Sequence, residues 1–318
     1  MDSKATKTIT VFGATGAQGG GLVRAILADK NSDFSVRAVT RNVNSEKAKE
    51  LARLGAQIVA ADIDDIQSIK KVLEGTYGAY FVTFFWEHFS VEKEQQEVAN
   101  FIKAAKEAHL KHIIWSTLED TRNWMSLDDN RMPTLQGKYK VPHFDGKGEA
   151  DNFFVESGLP TTFLRTSFYW DNFIHFGMGP KKGEDGNYYI TLPMDDKKLA
   201  AIAAEDIGKC AYGIFKKGSE FIGKTIGIVG EKLNGDEMAE KLSKALNINV
   251  IYNNVSPEMY RSFGFPGADD LGNMFQFKRD FNADFNGARD ENLSKELNPQ
   301  LQNFDNWLSK NVAHVPLE

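Results

Sequence analysis

Five glycines lie within nine residues of the chain, at positions 13, 16, 19, 20 and 21. A β-branched run, "KTITVF", precedes them, and the pattern "GGGLVRAILADK", with apolar residues at helical spacing, follows at once. Glycine weakens the interior of an ordinary helix or strand, so this cluster needs a physical reason. The spacing Gly13-x-x-Gly16-x-x-Gly19 between a strand and a helix predicts a turn that binds the phosphates of a dinucleotide.

Each glycine of this motif has a role in a dinucleotide-binding fold. The first permits the tight turn, the second lets backbone N–H groups approach a pyrophosphate, and the third lets the helix lie close to the strands. The phosphate then rests at the helix N-terminus, where unpaired N–H groups and the helix dipole favour an anion. A glycine-rich turn without a ligand is the alternative. The motif assigns to the cofactor Gly13, Ala14, Thr15, Gly16, Ala17, Gln18 and Gly19.

Strand-like and helix-like segments alternate along the first half of the chain. The strand-like segments are 7–12, 34–41, 56–62, 78–85, 111–119 and 160–166, and the helix-like segments between them include 45–55, 65–75, 90–110 and 145–157. This alternation predicts right-handed βαβ units in a doubly wound parallel sheet, which is an α/β fold of the Rossmann type.

The alternation loosens further along the chain, which predicts a second, smaller α/β lobe at the C-terminal end. We expect a dinucleotide-binding domain over 1–166 and a substrate or partner lobe over 167–318. A helical pattern at 201–216 and a strand-like pattern at 225–231 are expected to rejoin the first domain.

Composition and charge narrow the class of partner. The 318 residues carry a formal net charge of −6, which argues against nucleic acid as the main partner. The single cysteine, Cys210, predicts no internal disulfide and reads as a buried thiol, and no Cys/His spacing indicates a metal site. The sequence contains no run of 18 apolar residues and therefore predicts no membrane-spanning helix. We expect a cytoplasmic protein, with the nucleus as a second compartment.

The end of the second strand indicates which dinucleotide is bound. NAD sites usually place a carboxylate there to hold the ribose 2′-hydroxyl, but this chain has Thr40-Arg41-Asn42. An arginine can bind a 2′-phosphate through charge-assisted, often bidentate hydrogen bonds. Asn42 can donate a neutral hydrogen bond beside it. The sequence therefore predicts NADP(H), with a solvated surface arginine as the alternative.

Residues after the third and fourth strands are further candidates for cofactor contacts. Asp62 and Ile63 follow the third strand, where they border the adenine ring or, alternatively, Asp62 caps the next turn. Thr83, Phe84 and Phe85 follow the fourth strand, at the carboxyl edge where ligands bind in such sheets. The two aromatic rings either wall the cofactor channel or belong to the core.

Several stretches resemble the NmrA-like proteins, a family of the atypical short-chain dehydrogenase/reductase superfamily. They are "VFGATGAQGG", "VRAVTRN", "FVTFFWE", "HFDGKGE" and "FGFPGADDLGNMFQF", and the resemblance runs nearly from end to end. It implies a cytosolic protein that binds NADP(H), changes its association state or its choice of partner with the redox level of the cofactor, and shows little or no turnover. A homodimer is suggested by the resemblance alone.

The resemblance also implies cofactor contacts beyond the glycine motif. Besides the positions named above, they fall on Lys147, Tyr169, Trp170, Asp171 and Asn172. The aromatic residues of this stretch either cover the nicotinamide or pack between the lobes. One departure is Gln96, which aligns with a lysine of a close relative and removes a cation near the cofactor.

The catalytic residues of ordinary short-chain reductases are only partly present. Such enzymes use Tyr-x-x-x-Lys with a serine on the preceding strand. Here Ser116 has the right place, but the matching pair is His143-x-x-x-Lys147, so a histidine replaces the tyrosine. Histidine can act as a general acid, but a structural, hydrogen-bonded role is the alternative. A true Tyr-x-x-x-Lys at Tyr212 lies on a later helix and reads as packing.

These observations predict one of two functions. The first is an NADP(H)-responsive regulator that associates with another protein, because the cofactor site is intact while the catalytic residues are altered. The second is an NADPH-dependent reductase of a small carbonyl or quinone, with His143 or a water supplying the proton. A nucleic-acid-associated scaffold is a weaker third reading, which the acidic charge balance disfavours.

Overall fold

A seven-stranded parallel sheet organises the N-terminal part of the computed structural model, which describes residues 6–317. All of its pairings are parallel, and its order is β11-β6-β5-β4-β1-β2-β3. This confirms the predicted α/β fold of the Rossmann type. The strands are β1 Lys7–Val11, β2 Phe34–Thr40, β3 Gln57–Ala60, β4 Gly78–Phe81, β5 His112–Thr117, β6 Thr161–Arg165, β7 Phe168–Tyr169, β8 Lys181–Lys182, β9 Tyr188–Leu192, β10 Leu199–Ile202, β11 Thr225–Gly227, β12 Glu231–Leu233 and β13 Val250–Asn254.

Helices cover both faces of this sheet, and further helices pack on the smaller sheets. The helices of residues 6–317 are α1 Ala17–Ala28, α2 Glu46–Arg53, α3 Ile66–Leu73, α4 Val91–Ala108, α5 Pro142–Ser157, α6 Asn172–His175, α7 Ala204–Lys217, α8 Gly235–Leu246, α9 Pro257–Ser262, α10 Ala268–Asp280, α11 Asn282–Gly287, α12 Glu291–Leu297 and α13 Phe304–Asn311. Short 3-10 turns occupy Phe85–Glu87, Thr121–Asn123, Gly218–Phe221 and Val312–His314.

Side chains that alternate along the strands divide the core of the sheet into two layers. On β5, Ile114 packs with α1 and α7, whereas Ile113 and Trp115 pack with α3, α4 and α5. On β4, Tyr80 belongs to the first layer and Phe81 to the second. Successive side chains of a strand point to opposite faces, so a strand buried on both faces reads as a continuous apolar run.

A third core lies outside the sheet, among the later elements of the chain. Two three-stranded sheets, β12-β10-β7 and β13-β9-β8, pack with α8, α10 and α13 around it. The helix predicted at 201–216 begins only at Ala204, because 199–202 form β10 between β7 and β12. Four small apolar residues, Leu-Ala-Ala-Ile, fit either pattern, and the tertiary pairing decides.

The segment around α7 lies against the first helix of the sheet domain. A Cβ added at Gly208 would lie 2.0 Å from the backbone nitrogen of Leu22, and one added at Gly21 would lie 2.4 Å from the carbonyl oxygen of Glu205. Backbones therefore touch where α1 and α7 meet. The strand that follows, β11, pairs with β6 at the edge of the main sheet.

A buried ion pair joins the C-terminal elements to the ends of the sheet strands. Arg289 donates to both carboxylate oxygens of Glu119, at 2.7 and 3.1 Å, and to the carbonyl oxygens of Thr166 and Phe285. Arg289 and Glu119 are only 1% and 2% exposed. The pair is bidentate and its other donors are satisfied, which is the arrangement in which a buried charge pair is tolerated.

We expect Arg289→Met to lower the free energy of unfolding by about 3–5 kcal/mol, because it leaves the Glu119 carboxylate buried without its partner. Chemical unfolding at neutral pH measures the loss. The double variant with Glu119→Met removes both charges and should recover a large part of the stability. A single variant as stable as the parent protein would contradict this account of the junction.

Candidate functional site

The glycine-rich turn between β1 and α1 is open to solvent. Gly13 has φ +64°, a conformation that favours glycine, and Gly16 is the N-cap of α1 without any side-chain cap. A Cβ at Gly19 would lie 2.4 Å from the carbonyl oxygen of Gly13, so only glycine fits there. Gly13, Gly16 and Ala17 are exposed, whereas Ala14 is buried. Uncapped N–H groups at an exposed helix N-terminus suit an anion.

The candidate residues of the other strands meet this turn at one edge of the sheet. The strand order reverses between β1 and β4, which is the switch point where such sheets bind ligands. Because all seven strands are parallel, their carboxyl ends share that edge. Arg41 follows β2, Asp62 lies beyond β3 and Thr83 lies beyond β4. Ser116 is the penultimate residue of β5.

A polar network centred on Gln18 occupies the inner part of the crevice. The Ser116 hydroxyl donates to Gln18 Oε1 at 2.7 Å, and the Tyr80 hydroxyl donates to the same oxygen. Gln18 Nε2 donates to the Tyr169 hydroxyl at 2.6 Å, which also bonds the Thr166 hydroxyl at 3.2 Å. Burial raises the pKa of Tyr169 to about 12. The network joins three predicted site residues, but their polar atoms bond one another.

Lys147 is held by Thr83, just after β4, and by Glu94 of α4. Its ammonium donates to Thr83 Oγ1 at 2.6 Å, to the Thr83 carbonyl at 3.3 Å and to Glu94 Oε1 at 2.8 Å. An ammonium has three N–H donors, so these contacts use all of them. Glu94 is fully buried. Contact between Lys147 and a nicotinamide ribose therefore requires that one of these bonds be exchanged.

A second buried carboxyl group lies one helical turn from Glu94. Glu97 is 5% exposed, and its Oε2 has no hydrogen-bond partner within residues 6–317. His88 Nε2 lies 3.7 Å from Glu97 Oε1, beyond hydrogen-bond distance. Burial, and then the charge of Glu94, raise the pKa of Glu97 to about 7. Burial lowers the pKa of His88.

His143 is fixed by an aspartate of the C-terminal lobe. Its Nδ1 lies 2.5 Å from Asp270 Oδ1, and its backbone N–H donates to Asp270 Oδ2 at 3.1 Å. The ring also packs on Trp86, with a centroid distance of 4.7 Å. Nε2 makes no hydrogen bond within residues 6–317. These contacts give His143 the hydrogen bonding that its structural alternative requires, and they also fix the orientation of its ring.

The candidate 2′-phosphate residues form a small exposed group. The Arg41 guanidinium is ion-paired with Glu87, which lies on the turn after β4. This hydrogen bond raises the pKa of Arg41 and lowers that of Glu87. The amide oxygen of Asn42 accepts from the backbone N–H of Asn44 at 3.0 Å.

The residues after β3 shape a turn. Asp62 Oδ1 accepts from the backbone N–H of Asp64 at 3.0 Å, so the capping role that was the alternative for Asp62 is present. The Ile63 carbonyl accepts from the Asn100 amide at 3.1 Å. The Gln96 amide donates to Asn100 Oδ1 at 3.0 Å.

The predicted aromatic contacts divide between surface and core. Phe84 is 55% exposed at the crevice edge, whereas Phe85 is buried beside Val91 and Tyr139. Trp170 is fully buried, with centroids 5.3 Å from Phe304 and 6.4 Å from Trp307. Trp170 is therefore a residue of the third core and has no exposed surface for a cofactor.

The remaining candidates have capping or packing roles. Asp171 Oδ2 accepts from the backbone N–H of Ala204 at 2.8 Å, which caps α7, and half-buried Asn172 begins α6. The Tyr212 hydroxyl bonds Asp29 Oδ2 at 2.9 Å on the outside of α1. Cys210 is buried, which raises the pKa of its thiol.

Sequence reasoning missed Glu87, Glu94, Glu97 and Asp270. A signal existed for one of them, because Glu94 interrupts the apolar stripe of α4 between Val91 and Val98. A carboxylate at such a position is buried and needs a partner. Glu87 and Asp270 gave no comparable signal, since their partners come from distant parts of the chain.

We expect Glu97→Gln to raise the free energy of unfolding by about 1–3 kcal/mol at pH 8, with little difference at pH 4. The folded pKa of Glu97, about 7, lies above its ordinary value of 4.5, so the wild-type group contributes stability below pH 4.5 that is lost as pH rises to about 7. Unfolding measured across this range, with the exposed Glu156→Gln as control, tests the window. A constant difference at every pH would contradict it.

Two absences bear on the kind of site. No cluster of three or more His, Cys, Asp or Glu side chains in residues 6–317 is arranged to hold a metal ion. In the same range, no helix combines the length and the apolar content that a bilayer span needs.

Comparison with known proteins supplies the family. A model of the NmrA-like family matches residues 5–308. An NmrA-like family domain-containing protein of Dictyostelium discoideum is 30% identical over 80% of this chain and 82% of its own length. The NmrA-like family domain-containing oxidoreductase malD of Malbranchea aurantiaca is 29% identical over 74% of this chain and 71% of its own length.

Among solved structures, the negative transcriptional regulator NmrA in complex with NAD has a TM-score of 0.76 at 22% identity, covering 96% of this chain and 94% of that one. NmrA has also been solved with NADP.

Proposed function

This chain belongs to the NmrA-like family, and on that premise we propose that it is an NADP(H)-binding regulatory protein whose cofactor state controls its association with partners. The cofactor would lie across the edge of the sheet, with its pyrophosphate on the turn from Gly13 to Gln18 and its 2′-phosphate toward Arg41. The protein would act in the cytoplasm or the nucleus, on a protein partner or on a second copy of itself.

The observation that carries the proposal is the open turn at the N-terminus of α1. Its N–H groups are uncapped, its surface is exposed, and Gly19 lets the helix approach so closely that a phosphate can reach the first turn. These are the physical requirements for a bound pyrophosphate, and they stand at the switch point of the sheet.

Regulation is favoured over turnover because each candidate catalytic group is already engaged. Ser116 donates to Gln18, Lys147 spends its three donors on Thr83 and Glu94, and His143 is bound to Asp270. A reductase needs a proton donor aimed at its substrate and a hydroxyl that polarises the carbonyl. The crevice instead presents backbone N–H groups and an arginine, which suit binding.

The names of the relatives support both a regulatory and an enzymatic function. NmrA is a negative transcriptional regulator that has been solved with NAD and with NADP, whereas the malD protein is described as an oxidoreductase. Within the family, we propose a specific resemblance to NmrA-like family domain-containing protein 1, on the basis of the stretches His143–Glu149 and Phe263–Phe277.

The test of the regulatory function is a pair of measurements on the full chain. NADPH and NADP⁺ are titrated by calorimetry, and each complex is then sized and subjected to limited proteolysis. A cofactor can shift an equilibrium only as far as it binds one state better than the other, so a sensor must give different sizes or cleavage patterns with the two forms. Identical behaviour of the free protein and both complexes would end the proposal.

The second candidate is an NADPH-dependent reductase of a small carbonyl or quinone. One observation favours it: Asp270 holds Nδ1 of His143 and leaves Nε2 unbonded, which is how a carboxylate orients a general acid or base. NADPH oxidation with a carbonyl and quinone panel tests it, with His143→Phe as control. Equal rates for the variant and the parent protein would exclude a role of this imidazole.

We expect Arg41→Ala to weaken NADPH binding about 10-fold and to change NADH binding less than about 2-fold, because only NADPH carries the 2′-phosphate. Calorimetric titration of both cofactors measures the two affinities. Arg53→Ala, which removes an exposed arginine from the last turn of α2, is the control and should change neither affinity. Equal losses for NADPH and NADH would show that Arg41 does not bind the 2′-phosphate.

A further inference from the structure

The arginine that would bind the 2′-phosphate already has an anionic partner. The guanidinium of Arg41 is paired with the Glu87 carboxylate, and both side chains are partly exposed, at 66% and 46%. A carboxylate and a phosphate compete for the same donors of a guanidinium. Glu87 occupies one guanidinium nitrogen of Arg41, so a bound 2′-phosphate must either share the guanidinium with Glu87 or replace it.

Packing holds Glu87 at this position. It ends the 3-10 turn Phe85–Glu87, and the middle residue of that turn, Trp86, packs on the His143 ring. Trp86 also covers Gly267, where a Cβ would lie 2.7 Å from the indole. Because the neighbouring ring is fixed on two sides, the backbone of Glu87 is held where its side chain reaches Arg41 at the end of β2.

The surroundings of the pair are acidic. Arg41 also interacts with the charges of Asp62 and Glu97, and Glu87 is close enough to Asp64 for their charges to repel. A phosphate that enters this group meets several carboxylates, the Arg41 guanidinium and the ammonium of Lys93, which is ion-paired with Asp64. Like charges disfavour such an anion, and the effect persists within a screening length of about 8–10 Å.

We propose that Glu87 is a selectivity residue of the cofactor site, which narrows the preference for NADP(H) over NAD(H) by competing with the 2′-phosphate for Arg41. This inference rests on the proposed function, because it concerns the same crevice. With NAD(H) the pair stays intact, and Glu87 brings to the end of β2 the carboxylate that this strand itself lacks. With NADP(H) the ion pair between Arg41 and Glu87 breaks, and the Glu87 carboxylate is solvated instead.

Glu87 supplies, from the turn after β4, the carboxylate that NAD sites place at the end of the second strand. In NAD-binding folds the carboxylate that accepts the ribose 2′-hydroxyl lies at the end of the second strand. Here it comes from the turn after β4 and reaches the same place through Arg41. The site thus holds both an acceptor for a hydroxyl and a donor for a phosphate, and each bound cofactor selects one of them.

The experiment is a calorimetric titration of Glu87→Gln with NADPH, NADH, adenosine 2′,5′-bisphosphate and 5′-AMP. We expect the variant to bind NADPH and the bisphosphate about 3- to 10-fold more tightly, because an exposed ion pair and a like charge are removed. NADH and 5′-AMP should bind equally or more weakly. Added salt should shrink the difference, since the competing charges are screened.

Two controls separate this effect from a general change of surface charge. Glu296→Gln removes the acid of a comparable exposed pair with Lys217, far along the chain, and should leave all four affinities unchanged. In an Arg41→Ala background, Glu87→Gln should lose most of its benefit for NADPH, because the competition for the guanidinium no longer exists.

The outcomes distinguish this inference from the function on which it rests. If the parent protein binds the dinucleotides and Glu87→Gln leaves the NADPH to NADH ratio unchanged, the selectivity role is overturned and the proposed function stands. A variant that tightens NADPH and NADH equally also overturns it. If neither the parent protein nor any variant binds a dinucleotide, both proposals fail.

Discussion

The first turn of α1 touches the backbone of the preceding turn so closely that no side chain fits at Gly19. This contact fixes the direction in which α1 leaves the sheet. It aims the uncapped N–H groups at the crevice and brings Gln18 within reach of Ser116 and Tyr169. On its other side, α1 meets α7 backbone to backbone, so the position of one helix decides where the C-terminal half of the chain returns to the sheet.

Consequently, the crevice combines an open end with a closed end. At the open end the glycine turn and Arg41 face solvent, and their partners are weak or absent from the described residues. At the closed end the polar groups are paired inside the protein, with Lys147 on Glu94 and Ser116 on Gln18. Buried polar groups with satisfied partners are rigid and costly to separate. The first end is suited to capture a phosphate, and the paired polar groups of the second end are suited to hold its shape.

The sequence predicts the fold well because βα alternation and the glycine motif are local patterns that need no tertiary information. The strand bounds differ by a few residues, and the helix predicted at 201–216 begins late because the edge pairing of β10 is not visible in "LAAI". The site is less predictable. Positions such as Arg41 and Lys147 follow from their places at strand ends or in a motif, but their partners do not.

Glu87 and Asp270 show why the partners escape a reading of the sequence. Asp270 lies 127 residues from His143, and only the packing of α10 on α5 brings them together. Glu87 lies 46 residues from Arg41, on the turn after β4, a strand that β1 separates from β2. Side chains that converge from different strands carry no periodic signal, so their pairing is a property of the folded sheet.

The junction between the lobes also limits how a bound cofactor can act at a distance. Arg289 with Glu119 and Asp270 with His143 are buried pairs that span it, and separating either would expose or strand a charge. A hinge that opens the lobes must break both. The turn at Glu87 is different, because its link to Arg41 is exposed and weak. Trp86 packs on Gly267 and on His143, so packing connects that turn to the segment before α10. Under the proposed function, a small local rearrangement at this turn would cost less free energy than an opening that breaks both buried pairs.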